Sequence, residues 1–208
     1  LVQANRQDQS VSRYDSLDDL VGYCRLSANP VGRMVLEIFG MATPERTAWS
    51  DAVCTALQLV EHWQDVAEDA VTGRVYLPQA DMGRFGVTDQ ELLPPPTDYV
   101  DRRKRGAPGG SSASCRALMA FESARARRML EDGTPLVASL PGRLRFAVAG
   151  FVAGGHAALD ALAVVDFDIF ADTPRPAPRR FAGHLGRLLL GARPATGAAR
   201  TVASRETV

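Results

Sequence analysis

The sequence has little cysteine and little histidine: three of each in 208 residues, scattered along the chain. An odd number of widely spaced cysteines does not predict a disulfide framework, so we expect buried thiols and a reducing, cytoplasmic compartment. Without a Cys-x-x-Cys pair or clustered histidines, the sequence does not predict a zinc site. Net charge is also absent, because 24 basic side chains face 24 acidic ones. This balance argues against nucleic acid as the main partner.

Strand patterns are almost absent as well. Period-two alternation of β-branched residues is nowhere sustained, whereas helical periodicity covers most of the chain. Ser16 and Thr43 each precede such a pattern and predict capped helix starts. The sequence therefore predicts an all-α domain over residues 1–172, with a flexible loop rich in proline and glycine at about 92–114. Residues 173–208 are predicted to form a basic, partly disordered tail.

This tail contains seven arginines and a single acid, Glu206. Two interpretations stay open for it. The segment from Arg179 to Leu190 can form a cationic amphipathic helix that lies on the inner, anionic face of a membrane. Alternatively, the tail is simply solvated.

The longest apolar stretch spans residues 146–165 and is long enough to suggest a membrane helix. It also contains His156, Asp160 and three glycines, which are unfavourable or weak contributors in lipid. We therefore interpret it as a core helix.

The most informative predicted element is one uninterrupted helix from Pro44 to Val71, about 40 Å long at 1.5 Å per residue. One arc of roughly 100° on its surface collects polar side chains, namely Gln58, Glu61, His62, Asp65 and Asp69. Asp65 and Asp69 are four residues apart, so their charges repel each other. Hard oxygen ligands at this spacing suit Mg²⁺ shared with a substrate phosphate. The alternative is a solvated helix face.

Two further residues are candidates for chemistry. Arg74 follows the carboxylates directly, where it can bind a phosphate bidentately, cap the helix or form a salt bridge. Tyr23, on another predicted helix, is either a site residue or a half-buried packing residue. A Gly-x-Gly-x-x-Gly motif is missing, so the sequence does not predict reduction by a nicotinamide cofactor.

The order of the motifs at 23–33, 57–69 and 73–78 resembles the squalene/phytoene synthase family. The residues of these motifs are similar to those of the family's hopanoid-pathway, HpnC-like subgroup. The same is true of two segments further along the chain, Ala120-Phe121-Glu122 and Leu140-Pro141-Gly142-Arg143-Leu144-Arg145. The resemblance runs from about residue 6 to residue 170, apart from the predicted loop.

The resemblance implies an isoprenoid-synthase helical bundle around an apolar cavity. It implies Mg²⁺-assisted loss of diphosphate from presqualene diphosphate or farnesyl diphosphate, and other squalene-pathway enzymes as partners. Asp65 and Asp69 would bind Mg²⁺, and with Tyr23 would form the catalytic set. The implied substrate-binding residues are Tyr23, Gln58, Gln64, Arg74 and Tyr76.

The sequence departs from the family pattern at three points. The family's first aspartate motif would lie upstream of Leu1, so we expect the chain to lack an N-terminal part and to be a poor synthase alone. Glu61 replaces an asparagine and either adds a metal ligand or disturbs the site. Gln64 replaces an arginine of the wider family.

The missing nicotinamide motif favours water quenching to hydroxysqualene over reduction to squalene. A non-catalytic binding or assembly protein on the same scaffold is the alternative function.

Overall fold

The structure is a computed structural model that describes residues 1–94, 110–171 and 176–191. Most of the predicted loop at 92–114 and the tail beyond residue 191 lie outside the described residues. The described part is helical, with the helices α1 (Val2–Gln7), α2 (Leu17–Ser27), α3 (Asn29–Ile38), α4 (Pro44–Gln64), α5 (Val66–Val71), α6 (Gln79–Phe85), α7 (Asp89–Leu92), α8 (Ala113–Gly133), α9 (Pro135–Ser139), α10 (Gly142–Val164) and α11 (Pro178–Gly191). The predicted all-α fold is confirmed.

The predicted helix starts are also confirmed. The Ser16 hydroxyl accepts a hydrogen bond from the Asp19 backbone N–H at 3.2 Å, and Thr43 caps α4 in the same way. Helix α2 ends at Ser27 and α3 starts at Asn29, because Pro30 is tolerated in the first turn of a helix but not in its interior.

The prediction of one uninterrupted helix from Pro44 to Val71 is wrong. Helix α4 ends at Gln64, Asp65 leaves helical geometry (φ −104°, ψ 9°), and α5 starts at Val66. The sequence has no proline or glycine at this point. Aspartate has a low helix propensity, and negative charge is unfavourable at a helix C-terminus, which explains a break where acidic residues accumulate.

The core lies where α4 packs against α8 and α10. Helices α4 and α8 approach so closely that a Cβ on Gly133 would lie 2.5 Å from a methyl group of Val53 and 2.8 Å from the Trp49 carbonyl oxygen. Trp63, Leu59 and Leu118 are among the largest fully buried side chains. Cys24 and Cys115 are buried and Cys54 is half-buried, all as free thiols. This rigid centre carries the candidate site on α4.

Helix α10 is long and apolar enough to cross a membrane by composition, but 56% of its most apolar window is buried inside the protein. It packs against α4, α8, α9 and α11, in agreement with the predicted core helix. The leucines of α11 that pack against this core are Leu185, Leu188 and Leu189. The amphipathic helix predicted in the tail is therefore present, and its apolar side contacts the bundle.

Candidate active site

The carboxylates of Asp65 and Asp69 lie at the break between α4 and α5. The backbone N–H of Asp69 donates to the Asp65 carbonyl at 2.8 Å, so the two residues keep their one-turn relation despite the break. Burial raises the pKa of Asp69 to about 6, with a further contribution from the Asp65 charge and an opposing one from Arg74. Burial and the charge of Glu68 raise the pKa of Asp65. A cation would relieve this repulsion.

Arg74 is held beside these carboxylates by a tight turn. Its backbone N–H donates to the Asp69 carbonyl at 3.0 Å, and Gly73 takes a positive φ of 82° that favours glycine. The guanidinium is exposed and its charge lowers the pKa of both Asp69 and Tyr76. An exposed guanidinium next to a carboxylate pair can bind the oxygens of a diphosphate whose metal the carboxylates hold.

Four rings form an aromatic cluster next to these charged residues. The Tyr76 ring stacks on His62 with 3.7 Å between centroids, and the Tyr23 centroid lies 6.2 Å from that of Tyr76. Tyr14 completes the cluster, 5.6 Å from Tyr23 and 5.9 Å from Tyr76. The structure thus brings Tyr23 and Tyr76 together, as the resemblance implied. The π-faces of such rings attract cations.

His62 connects this cluster to another of the predicted site residues. Gln58 Nε2 donates to His62 Nε2 at 3.3 Å, and the imidazole is buried. Burial lowers the pKa of His62 to about 4, so the ring is neutral at physiological pH. The helical wheel placed His62 among solvated polar residues, but the structure turns it into the protein. Its stacking partner comes from another segment, so spacing on α4 alone does not reveal this role.

Glu61 and Gln64 lie on the adjacent side of α4. They line an open groove of about 370 Å³ between α4 and α10, together with Leu57, Val60, Gly150, Phe151, Gly154, Gly155 and Ala158. Small residues on α10 make room for the groove, and the ring of Phe151 is 65% exposed beside it. An apolar groove with a polar edge next to the carboxylates suits a long apolar chain that ends in a charged group.

Few side chains at this site could bind a metal ion. Among residues 1–94, 110–171 and 176–191, no group of three or more His, Cys, Asp or Glu side chains converges on one point. Glu61, which could add a ligand or disturb the site, accepts a hydrogen bond from Gln58 Nε2 at 3.5 Å, and its charge adds to the effect of burial on the pKa of Asp69. Two hard carboxylates fit Mg²⁺ only where phosphate oxygens and water supply the remaining ligands.

Comparison with known proteins finds relatives over most of the chain. The family model described as squalene/phytoene synthase matches residues 1–182. The hydroxysqualene synthase of Zymomonas mobilis is 43% identical over 95 residues, which cover 44% of this chain and 31% of that protein. The hydroxysqualene synthase of Sinorhizobium fredii is 34% identical over 152 residues, covering 71% of this chain and 46% of that protein.

Solved structures give the same picture. The squalene synthase HpnC from Alicyclobacillus acidocaldarius superimposes with a TM-score of 0.68 and 37% identity, covering 80% of this chain and 58% of that one. A dehydrosqualene synthase, at 21% identity and a TM-score of 0.74, shares the fold. The chain spans less than half the length of the Zymomonas mobilis and Sinorhizobium fredii proteins. By family model, sequence identity and fold, this chain belongs to the squalene/phytoene synthase family.

Proposed function

We propose that the protein containing this chain converts presqualene diphosphate, or two molecules of farnesyl diphosphate by way of it, to hydroxysqualene by Mg²⁺-assisted loss of diphosphate and addition of water. The observation that carries this proposal is the joint position of Asp65, Asp69 and Arg74 beside the aromatic cluster of Tyr14, Tyr23, Tyr76 and His62. Relatives with hydroxysqualene synthase activity support the choice of product. Loss of a diphosphate leaves a carbocation, so a site for this reaction needs both an anion-binding end and an electron-rich wall.

The chain's own residues divide these tasks. Arg74 binds an oxygen of the leaving diphosphate, and Asp65 and Asp69 would hold Mg²⁺. Mg²⁺ would act as a Lewis acid that neutralises the charge developing on the diphosphate. The rings of Tyr23 and Tyr76 face the cation, and the neutral His62 holds Tyr76 by stacking. Water then forms the new C–O bond and loses a proton to solvent, which gives the alcohol.

The groove between α4 and α10 would receive the prenyl chain. Gln64 and Glu61 at its edge lie in the last turn of α4, directly before Asp65 and the break that leads into α5. A chain lying against Gly150 and Gly154 would thus point its diphosphate towards α5. Glu61 adds negative charge at this end, which we expect to strengthen attraction for the metal rather than for the diphosphate.

Arg74→Lys is expected to weaken binding of a non-reactive analogue, farnesyl thiodiphosphate, by about tenfold while the helix content stays unchanged. Lysine keeps the positive charge but loses the planar fork that contacts two oxygens at once. Calorimetric titration in the presence of Mg²⁺ measures the affinity, and circular dichroism checks the fold. The matched control is Arg25→Lys on α2, which should bind as the parent does. Equal affinity of Arg74→Lys and the parent would remove Arg74 from the site.

The 208-residue chain alone is expected to convert presqualene diphosphate orders of magnitude more slowly than the Zymomonas mobilis enzyme. One carboxylate pair holds Mg²⁺ weakly, because this ion keeps its waters and leans on phosphate oxygens. The groove is also open to water, since the ring of Phe151 that lines it is exposed. The assay incubates the purified chain with Mg²⁺ and presqualene diphosphate and quantifies hydroxysqualene by mass spectrometry. A rate equal to that of the relative would show that no second carboxylate set is needed.

The second candidate function is a non-catalytic prenyl-diphosphate-binding protein. It is favoured by the donor set, which contains only two carboxylates in the described part of the chain. Binding of the analogue without Mg²⁺, together with no product from presqualene diphosphate, would support this alternative against the synthase.

We also propose a cytoplasmic location, with α11 in contact with an anionic membrane surface and with other enzymes of squalene formation nearby. Helix α11 has three arginines and no acid. Because Leu185, Leu188 and Leu189 pack against the bundle, this contact would be mainly electrostatic, so vesicle sedimentation should be strong at low salt and weak at high salt.

A further inference from the structure

The carboxylate of Asp8, which sequence reasoning did not single out, lies at the aromatic cluster. Asp8 follows the last residue of α1, and its Oδ2 accepts a hydrogen bond from the Tyr23 hydroxyl at 3.2 Å. Its backbone carbonyl accepts from Arg74 Nη2 at 3.5 Å, at the long end of the hydrogen-bond range. One residue therefore contacts both the aromatic wall and the arginine of the candidate site.

The segment around Asp8 is fastened to the segment that carries Arg74 and Tyr76. The backbone N–H of Val75 donates to the Ser12 carbonyl at 2.8 Å, and that of Gln79 donates to the Tyr14 carbonyl at 2.9 Å. The chain between α1 and α2 thus runs alongside the chain between α5 and α6. This pairing joins parts that are more than sixty residues apart in sequence.

The charge of Asp8 is unusual for a residue with only a structural task. Its second oxygen, Oδ1, is buried and has no hydrogen-bond partner among the described residues. Leaving a buried carboxylate oxygen unpaired is unfavourable, and an asparagine would accept the same bond from Tyr23 without a net charge. Burial is the main cause of the raised pKa of Tyr14, Tyr23 and Tyr76, and the Asp8 charge adds to each of these shifts.

We propose that Asp8 is a positioning residue of the site, which fixes the Tyr23 phenol through its carboxylate and the Arg74 guanidinium through its carbonyl. The wall that faces the cation and the end that binds the diphosphate then keep a constant relation to each other. The ligand-binding part of this inference rests on the proposed function, whereas the contact with Tyr23 does not.

The test compares Asp8→Asn with the parent chain by two independent readouts. First, incorporating 3-fluorotyrosine makes each of the four tyrosines visible by ¹⁹F NMR and lowers its titration range, and Tyr→Phe variants assign the signals. The Tyr23 signal of Asp8→Asn should titrate about one pH unit lower than in the parent, because the negative charge at its hydroxyl is gone. The other titratable groups that face Tyr23 are Tyr14, Tyr76 and His62, and they are unchanged in this variant.

Second, calorimetry measures binding of farnesyl thiodiphosphate with Mg²⁺. Asp8→Asn should bind about tenfold more weakly, since small misplacements of binding groups have effects of this order or larger. Tyr23→Phe should weaken binding as well, and the double variant should be no worse than the worse single variant, because both changes break one contact. Asp15→Asn, an exposed neighbour on the same segment, is the matched control and should behave as the parent.

An unchanged Tyr23 titration in Asp8→Asn would overturn the inference, and so would strictly additive losses of affinity in the double variant. If the parent chain does not bind the analogue at all, the proposed function fails instead. In that case the ¹⁹F titration still decides whether Asp8 holds Tyr23.

Discussion

Asp69→Asn should reduce the Mg²⁺-dependent affinity for farnesyl thiodiphosphate by about a hundredfold, the order expected when a metal ligand is lost from a weak carboxylate site. The side chains of asparagine and aspartate have nearly the same shape, so the substitution removes the charge and leaves the packing. Asp65→Asn should have the same effect, because both carboxylates are needed to hold one cation. Calorimetric titrations with Mg²⁺ and with a chelator separate the metal-dependent part of the binding.

Asp69→Asn should also make the folded protein more stable. The pKa of Asp69 is raised to about 6 in the folded state from an ordinary value of 3.8. The raised pKa stabilises the folded state. This stabilisation is complete at a pH below 3.8 and is lost as the pH rises through about 6. Asparagine has no such loss, so the variant should melt at a higher temperature than the parent at pH 8, with little difference at pH 4.

Glu68→Gln is the matched control for this pair of effects. It removes an exposed charge from the same helix but is not a predicted ligand, so the Mg²⁺-dependent affinity should stay close to that of the parent. If Asp69→Asn binds the analogue as tightly as Glu68→Gln does, the carboxylate pair is not the metal site.

Arg125→Ala should lower the free energy of unfolding by about 3 kcal/mol at pH 8, in the range measured for removing one partner of a buried ion pair. Arg125 Nη1 donates to the carboxylates of both Asp81 and Glu122, and it connects α6 to α8. Glu122 is fully buried, and burial raises its pKa to about 8. Without the guanidinium no cation lies between Asp81 and Glu122, so Glu122 either takes up a proton or stays ionised at a greater cost. Urea denaturation followed by circular dichroism measures the loss.

The pH dependence and a second variant identify the cause of this loss. The pKa of Glu122 is raised from 4.5, so its contribution to stability is full below pH 4.5 and lost as the pH rises through about 8. The effect of Arg125→Ala should therefore be smaller at pH 5, where Glu122 is protonated. Adding Glu122→Gln should recover part of the loss at pH 8. Arg128→Ala, exposed on the same helix, should change stability by less than about 0.5 kcal/mol, and an equal effect of the two arginine variants would contradict the account.

Local features of the fold could be predicted because they depend on neighbouring residues. Ser16 and Thr43 are helix caps whose partners lie three residues away, and Asn29-Pro30 ends a helix for steric reasons. Asp65 and Asp69 were found by their spacing within one helix turn. The break at Asp65 was missed because it arises from accumulated acidic charge rather than from a helix-breaking residue.

The parts of the site that depend on distant segments could not be predicted in this way. His62 faces inward because Tyr76 stacks on it, and Asp8 reaches Tyr23 because the chain after α1 pairs with the chain after α5. Neither contact follows from periodicity. A resemblance to the family places Tyr23, Arg74 and the carboxylates in one site, but it does not supply the residues that hold them in position.

The proposed function requires that this chain bind a prenyl diphosphate by its diphosphate group, with Mg²⁺ between that group and the protein. Titrating the 208-residue chain with farnesyl thiodiphosphate and with farnesol, each with Mg²⁺ and with a chelator, tests it most directly. The account predicts measurable binding of the diphosphate only in the presence of Mg²⁺, and much weaker binding of farnesol under both conditions. The proposal would be contradicted if the affinity for the diphosphate were the same with Mg²⁺ and with a chelator, or if farnesol bound as tightly as the diphosphate.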